Sequence, residues 1–588
     1  MLPHKQIEAR LQIAVRAVLP DADAANVLVR PCDPKFGDYQ TNALMSLAKV
    51  RKLNPRQLAT DVVAKLDVAD VCEKVEIAGA GFLNFRLKQT ALEATLVAAS
   101  RGEHLFFDKA ACPRTVVIDF SSPNVAKPMH VGHIRSTGIG DSLQRVFRVL
   151  GHRVISDNHI GDWGTQFGKL LLGWKQSLDH AELERDAIAE LERLYKVINA
   201  DCDANPSRLE EAKQELVKLQ AGDEENISIW KEMIRLSQIQ FDTLYGRLGV
   251  KFDHTLGESF YNPWLGGIVA DLLASGVARE SEGAVGVFSD GKLPPKEDPF
   301  LVNRDGEWVA DPALVRKSDG GFNYTTTDLA TLDYRLKTWK PDEILYVVDD
   351  RQSQHFKKLF IAFNRWQPDA AKKVKLVHIG FGKILGEDGK PFKTRSGDTV
   401  KLGDLLDEAE ERAFKVVSEK NADVTEAARK EIARVVGLGA VKYADLLPNR
   451  QSDYMFSWDK MLAFSGNTAP YLQYAYARIK SIFRKAEVSG AECQVSGIAL
   501  RAPEEIALAK HFLNFGITLE AIAEEHRPNF LCNYLFELAG KFTSFYENCP
   551  VLKAEAAERA SRLVLCDLTA RVLKQGLELL GIEVVEQM

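Results

Sequence analysis

The chain has 588 residues, which is too long for one hydrophobic core and predicts three or four domains of about 100–200 residues each. Its 46% apolar and 27% charged residues are ordinary for a soluble globular protein, and no apolar run reaches the roughly 18–20 residues of a membrane-spanning helix. The net charge of −6 argues against indiscriminate nucleic-acid binding but leaves local basic surfaces open.

The eight cysteines are scattered and contain no Cys-x-x-Cys pair. This spacing predicts neither a protein-bound zinc ion nor a disulfide framework, and it favours a reducing compartment. The amino-terminal helical pattern includes acidic residues and lacks a small-residue cleavage site, which is not typical of a signal peptide. We therefore expect a cytoplasmic protein that does not bind a membrane.

Residues 1–110 have the pattern of a small α+β domain. Helical periodicity covers 5–18 and 38–66, and strand-like alternation surrounds a glycine-rich turn in 73–87.

Residues 111–400 alternate apolar strands with helices, which predicts a Rossmann-type parallel sheet covered by helices. A charged helical segment near 178–250 interrupts this pattern as an insertion, and residues 401–588 are almost wholly helical. The predicted fold is therefore α/β, with a small α+β domain before it and an all-α bundle after it. The strands of the sheet are expected at 115–120, 152–160, 343–350 and 373–381.

The turn after the first of these strands carries an unusual set of side chains. Lys127, His130, Gly132 and His133 fall within seven positions, just before a helical pattern begins. Backbone N–H groups at the start of a helix favour anions, and glycine allows a ligand to approach the backbone closely. Two imidazoles and an ammonium there suit a phosphoryl group whose charge grows in the transition state. The alternative is a solvated loop with incidental histidines.

A second basic loop lies between two glycines after the last predicted strand. Lys390, Lys393 and Arg395 lie in the sequence "GEDGKPFKTRSGD" (386–398) and could bind a pyrophosphate leaving group. The alternative is a solvated basic turn.

These motifs resemble those of the class I aminoacyl-tRNA synthetases. "HVGH" (130–133) is similar to their His-x-Gly-His signature, and "SSPNVAKPMHVGH" (121–133) resembles the arginyl-tRNA synthetases specifically. The basic loop departs from the second class I signature, Lys-Met-Ser-Lys-Ser. Arginyl enzymes commonly lack its second lysine, and the resemblance assigns that work to the lysine upstream of the first histidine, here Lys127. The nucleotide-binding residues implied are His130, Gly132, His133 and His355.

An arginine pocket needs fixed acceptors for a planar, permanently charged guanidinium. Tyr324 and Asp328 are one helical turn apart, and the resemblance implies that they hold the arginine side chain. The alternative is that Asp328 stabilises the start of a helix and Tyr324 packs as a hydrophobic staple. By the same resemblance, Asn124 and Asp119 bind the amino and guanidinium ends of the substrate.

The resemblance also places Gln352 beside this pocket, with Arg351 and Gln354 as alternatives at neighbouring positions.

The helical tail offers aromatic and basic side chains for unstacked bases and phosphates, although aromatic residues on helices more often belong to a core. It resembles an anticodon-binding bundle, and the residues implied to contact the anticodon are Tyr471, Tyr474, Arg478, Tyr546 and the terminal Met588. The segments 37–49 and 79–87 resemble the additional amino-terminal domain with which this family contacts tRNA.

The resemblance implies ATP-dependent activation of L-arginine with Mg²⁺, followed by transfer to tRNA-Arg, by an enzyme that we expect to be a monomer. Three alternatives remain. Another class I synthetase would lack the acidic pocket, a small-molecule nucleotidyltransferase would not need the helical tail, and an inactive paralogue would bind tRNA without charging it.

Overall fold

The computed structural model describes residues 1–392, 399–420, 424–487, 495 and 497–588. The chain forms two compact units, each assembled from segments that are distant in sequence. Unit 1 consists of Met1–Ala110, Val417–Val436 and Leu462–Met588, and unit 2 consists of Ala111–Val416 and Gly437–Met461. The division into domains at 1–110, 111–400 and 401–588 remains a proposal.

The strands of the described chain are short. In chain order they are β1 Arg30–Pro31, β2 Tyr39–Thr41, β3 Cys72–Ala78, β4 Phe82–Leu87, β5 Thr115–Phe120, β6 Arg153–Asp157, β7 Ala278–Ser281, β8 Ala284–Val287, β9 Leu301–Arg304, β10 Glu307–Ala310, β11 Ala313–Arg316, β12 Glu343–Val347, β13 Lys375–His378, β14 Ile384–Leu385 and β15 Tyr454–Met455.

Helices supply most of the mass of both units. The α-helices are α1 Pro3–Val18, α2 Ala43–Arg51, α3 Pro55–Val63, α4 Gln89–Ser100, α5 Gly132–Val149, α6 Gln166–Ser177, α7 His180–Arg185, α8 Ala187–Ala204, α9 Pro206–Ala221, α10 Glu224–Leu248, α11 Asn262–Ala274, α12 Tyr324–Thr338, α13 Ser353–Trp366, α14 Pro368–Ala371, α15 Leu402–Lys420, α16 Glu426–Leu446, α17 Trp458–Met461, α18 Ala469–Ala486, α19 Pro503–Phe512, α20 Asn514–Glu525, α21 Asn529–Asn548 and α22 Ala556–Leu579. Two 3₁₀ turns lie at Glu258–Tyr261 and Asp350–Gln352.

Unit 2 is built on a four-stranded parallel sheet with the strand order β13-β12-β5-β6. The central strands β5 and β12 are apolar and almost wholly buried, as expected for strands covered on both faces. Helix α5 packs directly on β5, because Gly140 has no Cβ. A Cβ at this position would lie only 2.2 Å from the Phe120 ring. The predicted α/β fold class is confirmed.

Two further parts of unit 2 surround this sheet. Helices α7–α10 occupy the predicted insertion. A small antiparallel sheet has the strand order β11-β8-β7, and the paired strands β9 and β10 fall between β8 and β11 in the chain. A buried apolar cluster joins this second sheet to α11, α12 and α13. These elements bring α12 and the turn at Glu258–Tyr261 to the parallel sheet.

Unit 1 packs the amino-terminal α+β region against the carboxyl-terminal helices. A four-stranded antiparallel sheet with the order β1-β2-β4-β3 forms the centre of the amino-terminal region. Phe106 stacks on Phe512 at 5.1 Å between ring centroids, and Lys510 forms an ion pair of 2.6 Å with Asp38.

One helical stretch among the described residues is long and apolar enough to cross a membrane. It is Pro503–Glu525, with a mean hydropathy of 1.2 and 61% of its apolar window buried inside the protein. Burial of this kind is typical of a core helix.

Candidate active site

The loop between β5 and α5 has an unusual backbone. Ser121, Ser122 and Ala126 have φ values of 74°, 46° and 61°, in the left-handed region that residues with a side chain seldom adopt. Such conformations cost about 1–3 kcal/mol each and persist where surrounding groups hold them, often at functional sites.

Side-chain acceptors hold this loop in place. The backbone N–H groups of the three strained residues donate to Ser136 Oγ at 2.8 Å, Asn158 Oδ1 at 3.0 Å and Ser237 Oγ at 2.9 Å. Ser136 Oγ also donates to the carbonyl of Val347 at the end of β12, at 2.6 Å. Through Ser136, helix α5 therefore fixes the ends of both central strands, β5 and β12.

The two signature histidines contact each other where α5 begins. Their ring centroids are 4.0 Å apart, and the backbone N–H of His130 donates to His133 Nδ1 at 3.0 Å. The backbone N–H of Gly132 donates to His130 Nδ1 at 3.1 Å. Because Nδ1 of His130 accepts, the His130 ring carries its proton on Nε2 and is a hydrogen-bond donor there. Nδ1 of His133 lies 3.3 Å from the carbonyl oxygen of His130 as well, so the contacts around His133 accommodate either tautomer. Gly132 leaves room for the His130 ring in this position, since a Cβ there would lie 2.9 Å from that ring.

Both imidazoles are neutral near pH 7. Burial lowers the pKa of His133 to about 3, with a smaller contribution from His130, and burial followed by Arg351 lowers the pKa of His130. The pair therefore offers hydrogen bonds rather than positive charge to a phosphate.

Asn124 and Lys127 precede the histidines in the same loop. The ammonium of Lys127 lies 5.0 Å from the centroid of the Tyr195 ring, and no described contact joins it to the histidines. Asn124 is exposed and lies over Gly161, where a Cβ would be 2.2 Å from Asn124 Oδ1. Gly161 of the sequence "GDWG" thus leaves room for the Asn124 side chain.

A buried row of polar side chains crosses the carboxyl end of the sheet. Tyr346, Asp119 and Asp157 are register partners on β12, β5 and β6. Arg335 of α12 is fully buried and donates to Asp119 Oδ2 at 2.7 Å and to Asp157 Oδ2 at 2.8 Å. The other oxygen of Asp119, Oδ1, accepts from Ser122 Oγ at 3.0 Å.

Asp328 lies one turn inside α12 and has a different partner. Its Oδ2 is 2.6 Å from His355 Nε2, and the ring of Tyr324 contacts the His355 ring at 4.7 Å between centroids. The side chain of Asn323 caps the helix, and no acidic residue lies in its first turn. Tyr324 is 58% exposed.

Tyr346 connects the two groups of carboxylates. Burial raises the pKa of its hydroxyl above the ordinary value, Arg335 opposes that shift, and both Asp119 and Asp328 add to it. Helix α12 is the element that both groups share, because its Arg335 contacts Asp119 and its Asp328 contacts His355, beside Tyr324.

Glu258 joins this region and has no counterpart among the predicted residues. Burial raises the pKa of its carboxyl group to about 7, His159 opposes the shift, and Asp328 and Asp162 add to it. Asp162 of "GDWG" holds the turn in place, because its carboxylate accepts from the backbone N–H of Ser259 at 2.8 Å and from its hydroxyl at 2.6 Å.

The remaining predicted residues are Gln352, Lys390, Lys393 and Arg395. The side chain of Gln352 is exposed at the end of the turn Asp350–Gln352. Lys390 is exposed in a tight turn, where the backbone N–H of Gly386 donates to its carbonyl at 2.7 Å. Lys393 and Arg395 lie outside the described residues.

The predicted anticodon residues lie in unit 1. The guanidinium of Arg478 is 4.5 Å from the centroid of the Tyr546 ring, and Tyr471 contacts Phe536 at 5.8 Å between ring centroids. Tyr474 is 44% exposed on the same helix, α18.

The end of the chain lies along α18. Gln473 Nε2 donates to the carbonyl of Glu583 at 2.9 Å, and Arg484 donates to the carbonyl of Glu586 at 3.0 Å. Met588, which is partly buried, follows directly after this segment.

Comparison with known families and proteins agrees with this geometry. The family described as "tRNA synthetases class I (R), catalytic domain" matches residues 96–458, "DALR anticodon binding domain" matches 472–588, and "Arginyl tRNA synthetase N terminal domain" matches 4–87. The arginine–tRNA ligase of Chromobacterium violaceum is 46% identical over 100% of both chains, and that of Escherichia fergusonii is 46% identical over 99% of both.

Solved structures give the same result. The arginyl-tRNA synthetase of Plasmodium falciparum superposes with a TM-score of 0.79 at 30% identity, covering 100% of this chain and 99% of that one. That of Thermus thermophilus superposes with a TM-score of 0.82 at 26% identity, covering 100% of each chain. The chain belongs to the class I arginyl-tRNA synthetases, the arginine–tRNA ligases.

Proposed function

We propose that the protein forms arginyl-adenylate from L-arginine and ATP at the carboxyl end of β5, and then transfers the arginyl group to the 3′ end of tRNA-Arg. One observation supports this proposal most strongly. The neutral imidazole pair His130 and His133 and the acidic groups around Asp328 are carried by elements at the same edge of one parallel sheet. The first suits a phosphate and the second a cation.

The acidic groups would select arginine by its guanidinium. Asp328 offers a carboxylate oriented by His355, and Tyr324 adds an exposed aromatic hydroxyl beside it. Glu258 can supply a second negative charge once it is ionised. One oxygen of Asp119 already accepts a hydrogen bond from Arg335. Asp119 would therefore contribute to arginine binding through the charge and position of the Asp119–Arg335 pair.

In the first step, an oxygen of the arginine carboxylate attacks the α-phosphorus of ATP. The bond from that phosphorus to the bridging oxygen breaks, and the electron pair leaves with pyrophosphate, which carries the Mg²⁺ that entered with ATP. His130 would donate from Nε2 to the phosphate oxygens as their negative charge grows, and His133 would do the same in its Nε2–H tautomer. Lys127, Lys390, Lys393 and Arg395 would neutralise the leaving group.

In the second step, the 2′-hydroxyl of the terminal adenosine attacks the carbonyl carbon of the adenylate. The ester bond to that oxygen forms, AMP leaves with the electron pair of its mixed-anhydride bond, and the hydroxyl proton is released. Unit 1 would bind the body of the tRNA, with Tyr471, Tyr474, Arg478, Tyr546 and Met588 near the anticodon. Exposed aromatic rings beside cations suit unstacked bases.

The proposal includes a monomeric enzyme that acts in the cytoplasm. The free thiols of Cys32, Cys72, Cys112, Cys202 and Cys549 suit a reducing compartment.

Charging a tRNA mixture with each of the twenty amino acids tests the proposal. We expect stable attachment of arginine only, with ATP-dependent release of AMP. An inactive paralogue would bind tRNA and release no AMP, and this result would overturn the proposal.

Asp328→Asn is the matched test of substrate selection. Loss of one charge from a charge-assisted pair worth about 1.5–3 kcal/mol should raise the arginine KM about 10- to 100-fold. Asp333→Asn on the same helix, which removes an ion pair of 2.7 Å with the exposed Lys337, is the control and should leave that KM unchanged. An unchanged arginine KM in Asp328→Asn would remove this residue from the arginine site.

A further inference from the structure

Arg135 is a buried cation on the signature helix that the proposed chemistry does not use. It lies two residues after His133 and is 1% exposed. Its guanidinium donates from Nη1 to the carbonyls of Gly382 at 3.0 Å and Ser452 at 3.2 Å, and its Nε is 3.2 Å from Asp445 Oδ1. One side chain of α5 therefore holds three separate segments of unit 2.

Asp445 extends this network to a strand. It accepts a hydrogen bond of 3.1 Å from the hydroxyl of Tyr454, which lies in β15. The ring of Tyr454 also lies 5.1 Å from the Arg135 guanidinium. β15 pairs in parallel with β14, so the position of Arg135 fixes β14 both through Gly382, which precedes it, and through its partner strand.

β14 leads directly into the turn that carries Lys390. The N–H of Phe392 donates to the carbonyl of Ile384 at 3.1 Å, and Leu385 forms an antiparallel bridge with Pro391. The backbone of Lys390 is therefore held by hydrogen bonds that start from β14.

The chain that follows this loop returns to the signature segment itself. The N–H of Val131 donates to the carbonyl of Val400 at 2.9 Å, and the N–H of Leu402 donates to the carbonyl of Met129 at 2.9 Å. His130 forms an antiparallel bridge with Lys401. Residues 400–402 therefore hydrogen-bond directly to the signature segment, and β14, which precedes Lys390, is connected to α5 through Arg135.

Stability alone is a poor explanation for this buried ion pair, since apolar residues of similar size often stabilise a protein equally well. The planar fork of arginine, however, can bind several acceptors in fixed directions at once. We propose that Arg135 is a positioning residue, which acts through Gly382, Asp445 and Tyr454 to set the place of Lys390 relative to His130 and His133. This inference rests on the proposed roles of these three residues in adenylate formation.

Arg135→Lys is the decisive variant, because an ammonium keeps the charge opposite Asp445 but cannot hold all three segments. Pyrophosphate exchange would be measured with arginine, ATP and tRNA present. A misplacement on the scale of 1 Å can lower a rate by about 100-fold, so we expect kcat to fall about 10- to 100-fold and the KM for ATP to rise, with the arginine KM unchanged.

Arg148→Lys provides the matched control on the same helix. Arg148 forms an ion pair of 2.7 Å with Asp253 at the surface, where both side chains are about 40% exposed. We expect normal exchange in this variant. A melting temperature measured for each variant separates a positioning effect from loss of folded enzyme.

Tyr454→Phe decides the question if Arg135→Lys does not fold. It removes only the hydroxyl that links Asp445 to β15, and kcat should fall about three- to tenfold with little change in melting temperature. The inference is overturned if kcat is unchanged in the folded variants, or if the arginine KM rises in parallel with the loss of kcat. Absence of arginine-dependent exchange in the unmodified enzyme would instead contradict the proposed function.

Discussion

The imidazole Nε2 of His355 lies 2.6 Å from the carboxylate Oδ2 of Asp328. The family resemblance implies a nucleotide contact for the first residue and an arginine contact for the second. Their direct contact means that the histidine orients the carboxylate. On the proposed roles the arginine and nucleotide sites share this side chain, and one substitution separates the two roles of His355.

His355→Ala removes the partner of Asp328 and leaves the carboxylate in place. We expect the arginine KM to rise about 10- to 100-fold, because a hydrogen bond to a charged group contributes about 1.5–3 kcal/mol. His355→Gln, which keeps a donor, should recover most of the loss. Pyrophosphate exchange at varied arginine and at varied ATP measures both KM values. A rise confined to the ATP KM would show that the contact with the nucleotide dominates.

His133→Ala should act on the chemical step. In the proposed reaction its ring, in the Nε2–H tautomer, donates to a phosphate whose charge grows, and loss of one such donor typically raises a barrier by about 2–4 kcal/mol. We expect kcat for adenylate formation to fall accordingly, while the arginine Kd, measured by calorimetry, changes little.

His152→Ala controls for the loss of a histidine from the same unit. His152 accepts from the N–H of Arg114 at 3.0 Å, just before β6, at the amino end of that strand and away from the proposed site. Equal losses of kcat and of arginine binding in His133→Ala would instead mark His133 as structural.

Much of this site follows from spacing that a sequence makes visible. His130 and His133 are three residues apart at the start of a helix, so their proximity is a local property. The same holds for Tyr324 and Asp328. The strand–turn–helix order places the histidine pair at the carboxyl end of the parallel sheet, whereas α12 follows β11 of the antiparallel sheet, so the position of the second pair depends on packing.

Other parts of the site depend on contacts between distant residues. Arg335 is 216 residues from Asp119, and Ser237 is 111 residues from the strained Ala126 that it holds. Glu258 lies in an irregular segment with no periodicity to mark it. A pattern of neighbouring residues contains no signal for such pairs, and only packing of the helical insertion and of α12 against the sheet creates them.

Glu258 predicts a pH dependence of arginine binding. With a pKa of about 7, its carboxyl group is mostly neutral at about pH 6 and mostly ionised at about pH 8. The ionised form adds a negative charge near Asp328, so the arginine KM should fall about three- to tenfold as pH rises through this range. His133, with a pKa of about 3, does not titrate there.

Glu258→Gln removes the titrating group and keeps its size. We expect an arginine KM close to the acidic value of the unmodified enzyme and independent of pH. The ATP KM, measured over the same range, should show no parallel change. If the variant retains the slope, another group is responsible.

Arg335 should stabilise unit 2 by compensating two buried carboxylates. Breaking a buried pair by removing one partner typically costs about 3–5 kcal/mol, so Arg335→Gln should lower the melting temperature at pH 7. Burial raises the pKa of Asp157, and Arg335 is the neighbour that opposes this shift most strongly. Without it, the folded state should bind a proton more tightly than the unfolded state, so the loss should shrink as pH falls from about 7 to 5.

Adding Asp157→Asn to Arg335→Gln should recover part of the lost stability at pH 7, because one of the two uncompensated charges is then absent. Thermal unfolding at both pH values measures the effect. A loss that is equal at both pH values, and that Asp157→Asn does not reduce, would mean that Arg335 stabilises the unit by packing rather than by its charge.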